Sequence, residues 1–400
     1  MATACGIGGG VIYSSFLLFV ENFKPSVAFP ISNFLILVSA VTTFYTTSKD
    51  KKEHPKSSFV DYDLAMIFSP AMLLGTKFGT ILNKTCSNMI LTICLIIMLS
   101  ISLKSTYKNK VKAENKEKEK EENMKLLLKN NNEENNNEDI NMNLKLENCN
   151  FYIKNENVDQ KLIKEIEDED NNPYPIKRIK FFIKKEIFVI LDQIIEGNAK
   201  VSSLLGITKC SFIYWFVFIL YFILSMYFIK EAVNIINDWY DYKINIIPNI
   251  KKDKISYVQN NLIKIIIFTI LAGVISSMIG VGGGMVTNPL LLSMGIDPKA
   301  TSSTSNFLIM TTAIASTFIF TLSGQFQISY AIYLGIPCSI SAFYGSKAIL
   351  SYINTTGKTS ILLKIMVYFL VACGIIIVFK TIFQFNDIIK DGIFKMNSYC

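Results

Sequence analysis

Long apolar blocks alternate with short polar ones along this 400-residue chain. Apolar runs of membrane-crossing length fall at 27–46, 63–82, 86–103, 211–229, 262–279, 301–322, 328–350 and 360–379. Each is near the 20 residues that a helix needs to cross a hydrocarbon core of about 30 Å. The pattern predicts an all-α fold, a polytopic transmembrane helical bundle. Two apolar pieces, 11–20 and 285–294, are too short to cross, and each follows directly on a cluster of glycines. As helices they would extend about 15 Å, half a bilayer.

The two short pieces belong to a longer echo. GIGGGVIYSSFLL at 6–18 resembles GVGGGMVTNPLLL at 280–292. Downstream, SNF recurs at 32–34 and 305–307, a constant offset of 273 residues that Pro25 and Pro298 share. A third block follows in order: Pro70, Gly75 and Gly79 are spaced like Pro337, Ala342 and Ser346. Three blocks in one order indicate two homologous halves, each with a glycine-broken half-helix. The second half opens with a full span at 262–279, whereas the first has only residues 1–5 there.

A glycine inside a helix costs about 1 kcal/mol relative to alanine. Two readings explain why this chain carries so many. Close packing of transmembrane helices uses small residues. Alternatively, the backbone leaves the helix at the glycines, and the next half-helix offers its free amides and positive dipole end to an anion. The repetition and the polar neighbours favour the second. Candidate substrate-binding residues are then Gly6, Gly8, Gly9, Gly10, Ser32 and Asn33 in the first half. In the second they are Gly280, Gly282, Gly283, Gly284, Asn288, Ser302, Ser305 and Asn306. Interhelical hydrogen bonding is the competing role for the Ser-Asn pairs. Gly75, Gly79, Ala342 and Ser346 read as packing positions. Lys77 and Lys347 read as cations snorkelling near helix ends, and Asp238 and Asp241 as loop residues.

Composition adds a second region. From residue 105 to 209, Lys, Glu and Asn dominate, a composition that predicts a largely disordered insert. Within it, 176–195 mixes Lys177, Arg178, Lys180, Lys184 and Lys185 with Ile, Phe and Val, and reads as an interfacial amphipathic helix or a locally folded linker. The domain plan is therefore a first repeat at 1–104, the insert at 105–209, a linking helix and loop at 210–261, a second repeat at 262–383 and a tail at 384–400.

Several classes of chemistry are excluded. The net charge of +8 is spread among interleaved acids and bases, which argues against nucleic acid. The eight cysteines are scattered without a C-x-x-C, and His54 is the single histidine, so no metal, redox cofactor or catalytic site is expected. Position 285 is Met285, so the glycine cluster is not a G-x-G-x-x-G dinucleotide loop, and no P-loop occurs.

The motifs G-I-G-G-G…F-L-L…P…S-N and G-V-G-G-G…P-L-L-L…G-I-D-P…A-T-S-S-T-S-N resemble the TauE/SafE family of sulfite-exporter-like membrane permeases. The resemblance covers 5–104 and 262–380. It implies two homologous multi-helix halves and transport of sulfite, sulfoacetate or a related organosulfur anion. The expected function is alternating access around a central anion site, with the lipid bilayer and a small anion as partners and no cofactor. Proton or sodium coupling is open, although no intramembrane carboxylate pair is evident. A non-transporting scaffold or receptor working through the insert is the alternative. Lys49, Lys51, Lys52 and Lys56, with Lys104, Lys108, Lys110 and Lys112, put the insert on the cytoplasmic side. If 262–294 crosses twice the halves run parallel; if its short part is re-entrant they are inverted.

Overall fold

The computed structural model describes residues 9–49, 60–133, 176–196, 207, 211–246, 253–280, 282–294, 296, 298–322, 324, 326–356 and 360–383. Among these are eleven helices and no strand. The first repeat contains α1 (Gly10–Phe19), α2 (Pro25–Lys49), α3 (Tyr62–Thr85) and α4 (Asn88–Glu133). Then come α5 (Ile176–Glu196) and α6 (Phe212–Ile246). The second repeat contains α7 (Asp253–Ile279), α8 (Gly284–Ser293), α9 (Pro298–Leu322), α10 (Ile328–Thr356) and α11 (Ser360–Phe383). Seven helices, α2, α3, α4, α6, α7, α9 and α10, are long and apolar enough to cross a membrane.

The two repeats are inverted, which resolves the parity left open by the sequence. Helices α2 and α9 correspond through their shared SNF, yet they run antiparallel. Phe44, late in α2, lies 5.5 Å from Phe307, early in α9. Phe34, early in α2, lies 5.5 Å from Phe326, just beyond the end of α9. The outer pairs obey the same symmetry. Helices α2 and α10 run parallel, with Phe23 against Tyr330 and Thr46 bonded to Ser346. Helices α3 and α9 also run parallel, through Asp61 to Thr304 and Ser69 to Thr311. Likewise α1 packs on α11 as α8 packs on α4.

Packing in lipid depends on close contact between helices rather than on expelling water. The α3–α7 seam shows how close. A Cβ added to Gly75 would lie 2.1 Å from the Ile270 carbonyl oxygen, and one added to Gly273 the same distance from that of Met72. Ser277 Oγ donates across this seam to the Thr76 carbonyl at 2.9 Å. Gly75 and Gly79 are thus packing positions against α7. Ser346 instead faces α2, bonded to Thr46 at 2.7 Å, so the third sequence block serves different neighbours in the two repeats.

Three expectations change. The insert does not begin at 105 as disordered chain: α4 continues as helix to Glu133. Its Lys- and Glu-rich extension has good helix propensity, and Glu117 accepts from the Ser360 amide at 2.8 Å while Glu114 pairs with Lys364 at 3.2 Å. Asp238 and Asp241 lie within α6 rather than in a loop. The segment at 176–195 forms α5, which packs into the bundle beside α3, α6 and α9 instead of lying alone at an interface.

Candidate site where two half-helices meet

Helices α7 and α9 both run parallel to α3, so the chain must return between them. Among the described residues its helix there is the ten-residue α8, which makes α8 re-entrant. The break before it is real: α7 stops at Ile279, Gly280 and Gly282 take φ of +64° and +83°, and α8 starts at Gly284. Gly280 is also wedged on α2. An added Cβ would come within 2.7 Å of the Phe29 carbonyl oxygen, so no larger side chain fits this corner.

Each half-helix lies along its long neighbour with its N-terminus inward. At one end of α1, Phe23 N–H donates to the Leu17 carbonyl; at the other, Ser32 Oγ is 3.1 Å from the Gly10 carbonyl. Helix α8 repeats this on α9. Thr301 Oγ1 donates to the Ile296 carbonyl beyond its C-terminus, and Thr287 in its first turns bonds Ser305 at 2.7 Å. Ser32 and Ser305 each lie seven residues into their helices, about 10 Å from the start. Because α2 and α9 are antiparallel, α1 and α8 enter from opposite faces and point their N-termini toward the centre.

Ser32 joins the two breaks. Its hydroxyl is 2.7 Å from the Gly280 carbonyl as well as 3.1 Å from that of Gly10. One proton serves one acceptor at a time, so the shorter contact dominates. Asn33 Nδ2 donates to the Phe29 carbonyl on its own helix at 3.1 Å. Asn306 Nδ2 reaches across to the Ala40 carbonyl of α2 at 3.2 Å, and its buried Oδ1 has no hydrogen-bond partner. Ser32, Ser305 and Asn306 therefore act as ties between helical segments and Asn33 does not, while Asn306 keeps an unpartnered acceptor oxygen.

The structure brings Gly10, Ser32 and Gly280 together; Ser305 meets Thr287 of α8, and Asn306 meets Ala40 of α2, about two turns along that helix from Ser32. Gly9, at φ +68°, and Gly283 cap the two half-helices. Asn288 on α8 and Ser302 on α9 are buried. Gly6 and Gly8 lie outside the described residues. Thr304 is taken up elsewhere, accepting from the Asp61 amide at 2.8 Å.

Sequence reasoning missed three participants. Thr287 sits one turn into α8, and its only signal was its spacing from Gly283. Asn83 Nδ2 on α3 donates to the Met278 carbonyl at the end of α7 at 2.7 Å, and its buried Oδ1 has no hydrogen-bond partner; an amide near the end of an apolar run was the available hint. Lys77 does not snorkel. It is buried and paired with Asp192 of α5 at 2.5 Å. Lys347, in contrast, is exposed, with its ammonium 4.4 Å from the Phe343 ring centroid, as expected.

Inverted repeats with half-helices meeting at their crossing define a multi-pass membrane protein built like a secondary transporter. The chain belongs to the TauE/SafE family of membrane transporters: the family model described as Sulfite exporter TauE/SafE matches residues 1–128 and 202–377. It is similar to Sulfite exporter TauE/SafE family protein 3 of Arabidopsis thaliana, 24% identical over 363 residues, covering 90% of this chain and 71% of the relative. Family protein 2 of the same plant is 24% identical, covering 90% and 76%, and family protein 1 is 23% identical, covering 96% and 79%. No solved structure matches the chain.

Proposed function

We propose that the protein is a permease for a small oxyanion of the sulfite or organosulfur class, working by alternating access. The observation that carries this reading is the convergence of two half-helix N-termini from opposite faces. The amides of Gly10 and Val11 and those of Gly284 and Met285 have no carbonyl one turn earlier within their own helices, whereas Ile12, Tyr13, Val286 and Thr287 donate to the capping glycines Gly9 and Gly283. Two positive dipole ends aimed at one place favour negative charge there. The second N–H of each of the Asn33 and Asn306 amides supplies a further donor, while the hydroxyls of Ser32, Thr287 and Ser305 are already bonded to neighbouring protein groups. The family's exporter description and the names of the plant relatives agree with an anion of this class.

Inversion supplies the mechanism. Two equivalent half-sites related by an axis in the membrane plane can exchange conformations, so that the anion faces first one side and then the other. The bilayer surrounds the bundle, and the lysines of 49–56 and 104–112 keep the insert cytoplasmic.

Gly283→Leu tests the site. Gly283 has φ −60°, and an added Cβ meets the flexible end of Met72, so the variant should fold. In reconstituted vesicles its sulfite and sulfoacetate flux should vanish while the protein stays monodisperse; parent-level flux would refute the assignment.

A further inference from the structure

Helix α5 carries a charged stripe on its protein-facing side. Arg178, Lys185 and Asp192 recur every seven residues, and each meets a polar group on α3. Arg178 pairs with Asp63 at 2.9 Å, Lys185 hydrogen-bonds Ser69, and Asp192 pairs with Lys77. These ties span 14 residues of α3, about 21 Å of helix, so α5 runs beside α3 through most of the bundle. Its open face carries Ile183, Ile187 and Leu191, 54%, 51% and 52% exposed, with Lys180 and Lys184 exposed toward its N-terminal half. The apolar part of that face suits contact with lipid, and the two lysines suit the bilayer's edge.

The more buried of the two ion pairs is the informative tie. The Lys77 and Asp192 side chains are 4% and 6% exposed. A buried ion pair is a poor source of stability because desolvation offsets its attraction. Ionisable groups at such depth mark ion or proton pathways. Among the described residues, α6 and α5 present groups to the pair. From α6, the Tyr221 ring centroid lies 4.0 Å from Lys77 Nζ and that of Phe218 5.3 Å. From α5, Gln193 Nε2 donates to Asp192 at 3.3 Å. The other charges on α5's contacts are Lys185 with Glu186, Arg178 with Asp63, and Lys184 with Glu231. The pair is also linked to the break: the Thr76 carbonyl, beside Lys77, accepts from Ser277, three residues before Gly280. Residues 129–201, which include α5, lie outside the family match.

We infer that Asp192, held against Lys77, is a proton-binding site that couples proton movement to the anion. This rests on the permease reading above. With Asp192 ionised the pair is neutral. A proton arriving from one aqueous side neutralises the carboxylate while Lys77 stays charged, so the bundle gains one positive charge. An anion at the neighbouring crossing restores neutrality, and its departure favours release of the proton to the other side. The linkage is reciprocal: protonation tightens anion binding, and anion binding raises proton affinity.

The test uses the full chain in proteoliposomes, with labelled sulfite exchange and an entrapped pH dye read together. Sulfite's own protonation is common to every variant, so differences from the parent report the protein. Asp192→Asn should keep sulfite exchange within about threefold, lose the parent's extra proton per anion and flatten the pH dependence of exchange. Asp192→Glu should restore both. The double variant Lys77→Gln/Asp192→Asn leaves no stranded charge and should fold and be uncoupled, which covers a folding failure of the single variant. A folded variant without the carboxyl that still moves the parent's number of protons overturns this inference alone. Absence of sulfite exchange in the parent protein overturns the permease reading and this one with it.

Discussion

Helices α3 and α10 hold corresponding places in the two repeats, yet their surroundings differ. Helix α3 is enclosed by α5, α6, α7 and α9 and buries a lysine among them. Helix α10 packs on α2 through one side, while Ile332, Tyr333, Ile336 and Ile340 on the other stay exposed. Nearer the centre the repeats match: α1 lies on α2 as α8 lies on α9, and both half-helices point inward. The symmetric part is what an alternating anion site needs. The asymmetric part is where the inserted helix α5 brings charge to one repeat only, so any coupling built there acts from one side of the symmetry axis.

That contrast can be broken most forcefully at Gly75. Gly75→Leu puts side-chain atoms into the backbone of α7 and should cost about 3 kcal/mol or more, leaving little monodisperse protein on size exclusion. Gly335→Ala on α10, where an added Cβ meets the Phe34 ring edge at 3.2 Å and the Val38 side chain at 3.9 Å, should leave the same profile unchanged. Next is the lysine pair of positions. Lys77→Met strands the buried Asp192 and should destabilise by about 3–5 kcal/mol, read as a lowered Tm in detergent. Lys347→Met on α10 should stay within about 0.5 kcal/mol; equal Tm losses would mean the two helices are not as different as described. The smallest stability effect is at the centre. Ser32→Ala and Ser305→Ala each remove one buried hydroxyl tie, about 1 kcal/mol, and should lower sulfite flux by similar factors. A large loss for one and none for the other would show a one-sided site.

Much of this was legible beforehand because it depends on local chemistry. Glycines at 280, 282, 283 and 284 can only weaken a helix, so a break was readable, and the shared SNF and prolines exposed the duplication. Helix direction was not readable, because the parity of a glycine-broken segment depends on whether 285–294 crosses or returns, and its apolar pattern is the same either way. The partner of Lys77 was hidden for a related reason. Arg178, Lys185 and Asp192 at heptad spacing look like a solvated stripe, and only the packing of α5 turns that stripe inward. The Lys/Glu extension of α4 was misjudged from its charge, although its helix propensity and its ties to Ser360 and Lys364 keep it ordered.

The central claim is that both half-helices serve one anion at the α2–α9 crossing. Isothermal titration of sulfite into the purified protein, for the parent, Ser32→Ala, Ser305→Ala and the double variant, tests it most directly. One site per chain, weakened several-fold by each single change and non-additively by both, is the predicted result. Binding that neither serine affects would contradict it.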